Sequence, residues 1–214
     1  MIKKVDSLLV LSPHPDDAEV GAGGLISQLS KQVTSKFWIA FSKCSNSLPP
    51  ESYDVMRFEM VNSLLNLGFG IDEFAIHSYP VRNFPFHRQS ILQMLYDVSK
   101  SFNPDLVLLP STFDRHQDHQ VIRQEGERAF HQSTILGYEI PRNCQEFIPR
   151  LYFPITENQV NKKVESFLCY KSQNHRPYGD GQFIRSTAAY RGSQIDCDYA
   201  EAYEIVRMFW RTND

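Results

Sequence analysis

Six short apolar runs recur along the chain: Leu8–Leu11, Phe37–Phe41, Phe74–Ile76, Leu106–Leu109, Ile135–Tyr138 and Leu151–Phe153. Between most of them lie stretches with helical signals, at Gly24–Lys31, Val55–Leu67, Ser90–Phe102 and Gln120–Phe130. Two of the helix ends have a clear cause: Gly68 can take the left-handed cap conformation, and Pro104 cannot continue a helix. Strands that alternate with helices build βαβ units, so the expectation is an α/β fold around a mostly parallel sheet. Further on, Thr156 to Tyr170 reads as another helix. Tyr199–Phe209 reads as a C-terminal one, because Ala200, Tyr203, Val206 and Phe209 or Trp210 repeat at helical spacing. Between these two, Gln173–Asp196 is rich in Gly, Arg, Tyr and Ser and reads as a long polar loop.

With 214 residues, 42% of them hydrophobic, the chain can bury a substantial core. It is read as one domain over residues 1–214. A formal charge of −3 with scattered Lys and Arg gives no basic face for nucleic acid or anionic membrane. The start, Met1-Ile2-Lys3-Lys4-Val5-Asp6, is basic, but polar residues soon interrupt any apolar region of signal-peptide length. No window reaches the roughly 18 apolar residues of a membrane span. A soluble cytoplasmic protein is expected, with self-association into a homo-oligomer left open. Cys44, Cys144, Cys169 and Cys197 form no close pair in sequence, which argues against a disulfide framework or a structural zinc knot.

Two polar clusters stand out against this frame. His14-Pro15-Asp16-Asp17-Ala18-Glu19 follows directly on the first apolar run, and His116-Gln117-Asp118-His119 lies after the fourth. Both positions are carboxyl ends of strands, where open α/β sheets bind ligands. His14, Asp17 and His119 supply the imidazole and carboxylate donors of a divalent transition-metal site, with a coordination position left open for water. Asp16 stands beside that set as a candidate general base. His116 is a candidate for steadying an oxyanion or protonating a leaving amine, and Asp118 is close enough in sequence to orient one of the imidazoles.

Plainer explanations exist for each piece. A lone Asp-Asp at a helix start serves as an N-cap pair favoured by the helix dipole, and a lone His-x-x-His usually faces solvent. Glu19 fits either a first-turn charge or a partner behind the metal ligands. It is the joint placement at two strand ends that favours the metal site. Gly21, Gly23 and Gly24 do not give G-x-G-x-x-G between strand and helix, and the carboxylates in that turn would repel a pyrophosphate, so dinucleotide binding is disfavoured. No G-x-S-x-G elbow is present.

Taken together, Pro13-His14-Pro15-Asp16-Asp17 and His116-Gln117-Asp118-His119 resemble the signature of the LmbE-like, or PIG-L, family of metal-dependent N-acetylglucosamine deacetylases. Glu59, Leu67-Gly68, Asn103 to Val107, Tyr170-Lys171-Ser172-Gln173 and Tyr199 to Ala202 also look like family features. The resemblance implies a Rossmann-like three-layer αβα sandwich. It implies zinc held by His14, Asp17 and His119, Asp16 as base, and His116, oriented by Asp118, at the oxyanion or leaving group. The reaction implied is hydrolysis of an acetamide on an amino-sugar conjugate, a small-molecule partner. Some members place a tyrosine where this chain has Asp114, and an arginine where it has Met56, with Arg57 next to it. Arg82, Arg115 and Arg185 are candidates for holding a sugar hydroxyl or a phosphate. Two alternatives stay open: a family member that binds a sugar or nucleotide without catalysis, and an amidase for a non-sugar amide.

Overall fold

The structure is a computed structural model and describes residues 5–47, 54–176 and 179–209. Seven strands form one sheet: β1 (Ser7–Ser12), β2 (Ser35–Ala40), β3 (Phe74–Ile76), β4 (Leu106–Pro110), β5 (Thr134–Tyr138), β6 (Leu151–Pro154) and β7 (Ala200–Arg207). Their order across the sheet is β3-β2-β1-β4-β5-β7-β6. The first five strands are parallel, and β7 runs antiparallel to both β5 and β6. The expected α/β class with a mostly parallel sheet is therefore what the chain adopts.

Strand β1 shows why the sheet is covered on both sides. Leu8 and Val10 enter one hydrophobic cluster, shared with α1 (Asp17–Leu29) and α2 (Val55–Asn66), while Leu9 and Leu11 enter another, shared with α3 (Arg88–Ser101) and α4 (Gln117–Ala129). Successive side chains of a strand point to opposite faces, so a strand buried on both sides reads as an unbroken apolar run. All four of these side chains are fully buried, and each contributes on the order of 2 kcal/mol of hydrophobic stabilisation.

The first helix is longer than its sequence suggests. Asp17–Leu29 replaces the expected Gly24–Lys31; its glycines weaken the helical signal, yet they are what lets the helix lie close to its neighbours. A Cβ on Gly21 would stand 2.8 Å from Cγ and 2.9 Å from Cβ of Tyr138. At the far end of α2, Gly68 has φ +91°, the left-handed cap that the sequence requires there.

Two expectations are corrected. Tyr199–Phe209 is not a helix, because β7 occupies Ala200–Arg207 between β5 and β6. As an interior strand it is covered on both faces, with Tyr203 and Ile205 in one cluster and Val206 in the other. Double burial erased the alternation that marks a strand and left a spacing that imitates a helix. Trp210 lies outside the described residues. Gln173–Asp196 is not one loop either, since α6 (Gln182–Ser193) fills its second half. Ile184 and Ala188 supply the buried stripe of α6, and Ala188 packs with Val160 of α5 (Glu157–Phe167). Among the described residues no helix is long and apolar enough to cross a membrane.

Candidate metal centre

The sheet reverses its winding between β1 and β4, which are adjacent and parallel while their following helices cover opposite faces. A crevice opens at the carboxyl edge of such a switch point. The turn after β1 delivers His14, Asp16 and Asp17, and the segment from β4 into the first turn of α4 delivers Asp114, His116, Asp118 and His119. Five of the six sequence-predicted residues thus line one crevice, and the sixth, Asp118, is buried behind His14, although they come from two distant parts of the chain.

Three of them meet at one point. His14 Nδ1, Asp17 Oδ2 and His119 Nε2 form a triangle with all three separations at 3.1 Å. Donors that each lie about 2 Å from a common small cation stand a little over 3 Å apart, so this triangle fits a divalent metal. The cluster His14, His116 and His119 also places one nitrogen from each ring within 4.8 Å of the others. The triangle with Asp17 is the tighter set and contains a carboxylate, and His116 Nδ1 already accepts the Asp118 N–H at 3.2 Å. His14, Asp17 and His119 are therefore the more compact candidate donor set of the two.

Each histidine of the triangle turns its other ring nitrogen to a carboxylate. His14 Nε2 lies 3.0 Å from Asp118 Oδ2, and His119 Nδ1 lies 2.7 Å from Asp114 Oδ2. A carboxylate behind an imidazole fixes its tautomer and aims the free nitrogen forward. Asp118 in turn accepts the backbone N–H groups of Arg82 at 2.5 Å and Phe84 at 3.1 Å. Its carboxylate therefore orients His14, and His116 is held by the Asp118 backbone instead.

Charges in the cluster are strongly interdependent. Burial alone would lower His119, yet Asp17 and Asp114 outweigh it and push the imidazole up to about 10. Burial would raise Asp17, but His119 and His14 hold its carboxyl well below the usual range. Such a cluster neutralises its carboxylate with protons, which a bound cation can displace. His116 behaves oppositely: burial, then His119 and His14, lower it to about 4, so it enters as a neutral ring.

Asp16 occupies the N-cap position of α1 but makes no side-chain capping bond. It lines the crevice instead, and burial together with Asp17 raises its carboxyl above the ordinary value. Glu19 is fully buried behind the turn. The Tyr170 hydroxyl bridges Glu19 Oε1, at 2.6 Å, and the Pro15 carbonyl, and Ser63 Oγ donates to the same Oε1 at 2.7 Å. Burial pushes the Glu19 carboxyl up to about 8. Glu59 accepts the Ser172 N–H at 2.8 Å and its hydroxyl at 2.6 Å, which seats Gln173 at the crevice wall.

The crevice is a cavity of about 570 Å³, lined also by Val20, Cys44, Met56, Arg82, Arg142 and Arg176. Of the three arginines expected from sequence, Arg82 lines it. Arg185 pairs with Glu157 at 2.6 Å, and Arg115 is exposed and does not line the cavity. Arg142, Arg176 and Asp114 were missed as site residues. For Asp114 the available signal was its position just upstream of the second histidine cluster; Arg142 and Arg176 lie in irregular segments where no spacing rule applies.

Residues 9–130 match the family model described as PIG-L: GlcNAc-PI de-N-acetylase. The chain is 23% identical over 175 residues to an uncharacterised deacetylase, YaiS, of Escherichia coli K12, covering 79% of this chain and 92% of that one. The N,N'-diacetylchitobiose deacetylase of Pyrococcus horikoshii superposes with a TM-score of 0.77 at 21% identity, covering 95% of this chain and 84% of the other. GalB of Pseudomonas putida KT2440, a 4-carboxy-2-hydroxymuconate hydratase, superposes with a TM-score of 0.78 at 20% identity, covering 97% and 99%. One fold therefore carries both a deacetylase and a hydratase, so the chemistry has to be argued from the site.

Proposed function

We propose, on the premise that this chain belongs to the PIG-L family of de-N-acetylases, that it is a zinc-dependent hydrolase that removes the acetyl group from an N-acetylated amino sugar or its conjugate. The observation that best supports this is the triangle of His14 Nδ1, Asp17 Oδ2 and His119 Nε2 with Asp16 beside it in the same cavity. These three residues would hold the cation, and zinc suits a mixture of imidazole nitrogen and carboxylate oxygen. When bound, such a cation polarises an amide carbonyl and lowers the pKa of a water toward neutrality.

The chain's own groups carry the proton. Asp16 takes it from the water that adds to the carbonyl carbon, and its raised carboxyl is suited to accept it. As the C–N bond breaks, Asp16 returns that proton to the departing amine nitrogen, which leaves a free amine and acetate. Neutral His116, with Nδ1 engaged by the Asp118 N–H, has its Nε2–H available to the oxygen on which negative charge builds. Asp118 and Asp114, at His14 Nε2 and His119 Nδ1, would hold these rings in the tautomers that leave His14 Nδ1 and His119 Nε2 free to ligate a cation.

The test is acetate release from a panel of N-acetylhexosamine compounds, free, nucleotide-linked and lipid-linked, with the protein first chelated and then reloaded with zinc. Release that chelation abolishes and zinc restores is the expected result. No release from any compound by the zinc-loaded protein would overturn the proposal.

A further inference from the structure

Three arginines converge on the cavity, and the proposed hydrolysis uses none of them. Arg82 comes from the segment after β3, Arg142 from the segment after β5 and Arg176 from the segment after α5, and all three line the same space as His14 and Asp17. The same lining carries two carboxylates, Asp16 and Asp17, both at the candidate metal centre, so the arginines supply the positive charge of the cavity away from that centre. We propose that the substrate carries an oxyanion, a carboxylate or a phosphate, which Arg82, Arg142 and Arg176 receive while the acetamide reaches the metal centre. This rests on the deacetylase reading and names the substrate class within it.

Arg82 is the most telling of the three. Its φ is +69°, in the left-handed region where a glycine or asparagine sits more easily. The conformation is enforced on both sides. Asn46 clamps the preceding Val81, accepting its N–H at 3.0 Å and donating to its carbonyl at 3.2 Å, and the Arg82 N–H is held by Asp118, the carboxylate behind His14. Strain of this kind persists at functional sites when the surroundings over-determine it. What arginine adds over glycine at such a position is a long side chain with a planar pair of donors, and that side chain lines the cavity. The backbone bond ties its root directly to the support of the metal centre.

Arg176 is half-buried in the cavity lining, close enough to act electrostatically on Asp16 and on Cys44. Arg142 is exposed at the opening. Guanidinium groups bind carboxylate and phosphate through two parallel hydrogen bonds, a geometry for which a sugar hydroxyl offers no equivalent. The cavity volume of about 570 Å³ falls within the range of small-molecule sites and leaves room for a substituent beyond one sugar ring.

The test compares kcat/KM of the zinc-loaded protein for three compounds with the same N-acetylglucosamine ring: the neutral methyl glycoside, the 1-phosphate and the glycoside of glycolate, which carries a carboxylate. At least one anionic compound should exceed the neutral one by about tenfold or more, and the better of the two identifies the source of the anion. In the variant Arg82→Asn, Arg142→Gln, Arg176→Gln that preference should fall to within about twofold of parity; asparagine is chosen because it tolerates a positive φ. A ratio near one in the native protein, or one unchanged in the variant, would overturn the proposal. Calorimetry with glucosamine 1-phosphate against methyl glucosaminide separates the two readings. If no compound is hydrolysed, the deacetylase reading falls and binding alone decides: tighter binding of the phosphate that the variant loses supports the anion site, and equal binding overturns it.

Discussion

Asp114 Oδ2 stands 2.7 Å from His119 Nδ1, and both side chains are sealed from solvent. The other oxygen of the same carboxylate accepts the His116 backbone N–H at 2.8 Å. One aspartate therefore fixes both histidines of the second cluster. Removing a carboxylate behind a metal-ligating imidazole costs about 10- to 100-fold in metal affinity, so Asp114→Asn should weaken zinc binding by that factor while the protein stays folded. Chelator competition measures it; unchanged affinity would show that His119 needs no such support.

Gly21→Ala should destabilise the protein. Alanine in a helix interior ordinarily gains about 1 kcal/mol over glycine, but here the added methyl would press on the root of the Tyr138 ring. That ring is fully buried, and its hydroxyl donates to the Leu11 carbonyl at 2.9 Å, so it has little freedom to yield. An overpacking cost of about 1–3 kcal/mol is expected, and thermal unfolding reports its sign. A higher Tm than the native protein would show that the helix can shift away from β5.

His77 gives a pH dependence whose direction is fixed. Its N–H donates to the Ala40 carbonyl at 2.8 Å and its ring stacks on Phe41, 6.3 Å between centroids. Burial holds its pKa below the usual value. The unfolded chain therefore binds a proton more readily than the folded one, and the contribution to stability present above the unfolded pKa is lost as pH falls through the folded one. In His77→Phe, Tm should drop less than in the native protein between pH 7 and pH 5. An equal drop in both would remove His77 as a source of acid sensitivity.

Much of the candidate metal centre was legible in the sequence because it sits where two strong signals meet. Leu8–Leu11 announces a buried strand and Pro13 ends it, so His14 to Asp17 had to fall at a strand's carboxyl end; the same logic placed His119 beyond β4. The pairing of carboxylates with histidines was less accessible. Asp118 is next to His119 in sequence but supports His14 from the other cluster, a contact that only the adjacency of β1 and β4 creates. In the same way, Asp114 is separated from the histidine it supports by a full turn of chain.

The errors in the fold have related causes. β7 is buried on both faces, so no alternation marks it, and Tyr203 and Val206 happen to repeat at helical spacing. α6 carries a narrow buried stripe among polar residues and follows Gly179 and Gly181, whose turn signals hid its start. The arginines of the cavity come from segments whose position depends on the completed sheet, and Arg176 shows no local pattern that distinguishes it from Arg185, which pairs with Glu157 instead.

The central claim is that His14, Asp17 and His119 hold the metal while Asp16, beside them, moves the proton. Measuring bound zinc and acetate release on the same preparations of native protein, Asp16→Asn and His119→Ala tests it most directly. Asp16→Asn should keep native zinc content and lose about 100-fold or more in kcat, whereas His119→Ala should lose zinc and activity together. Near-native turnover in Asp16→Asn, or full zinc content in His119→Ala, would contradict the account.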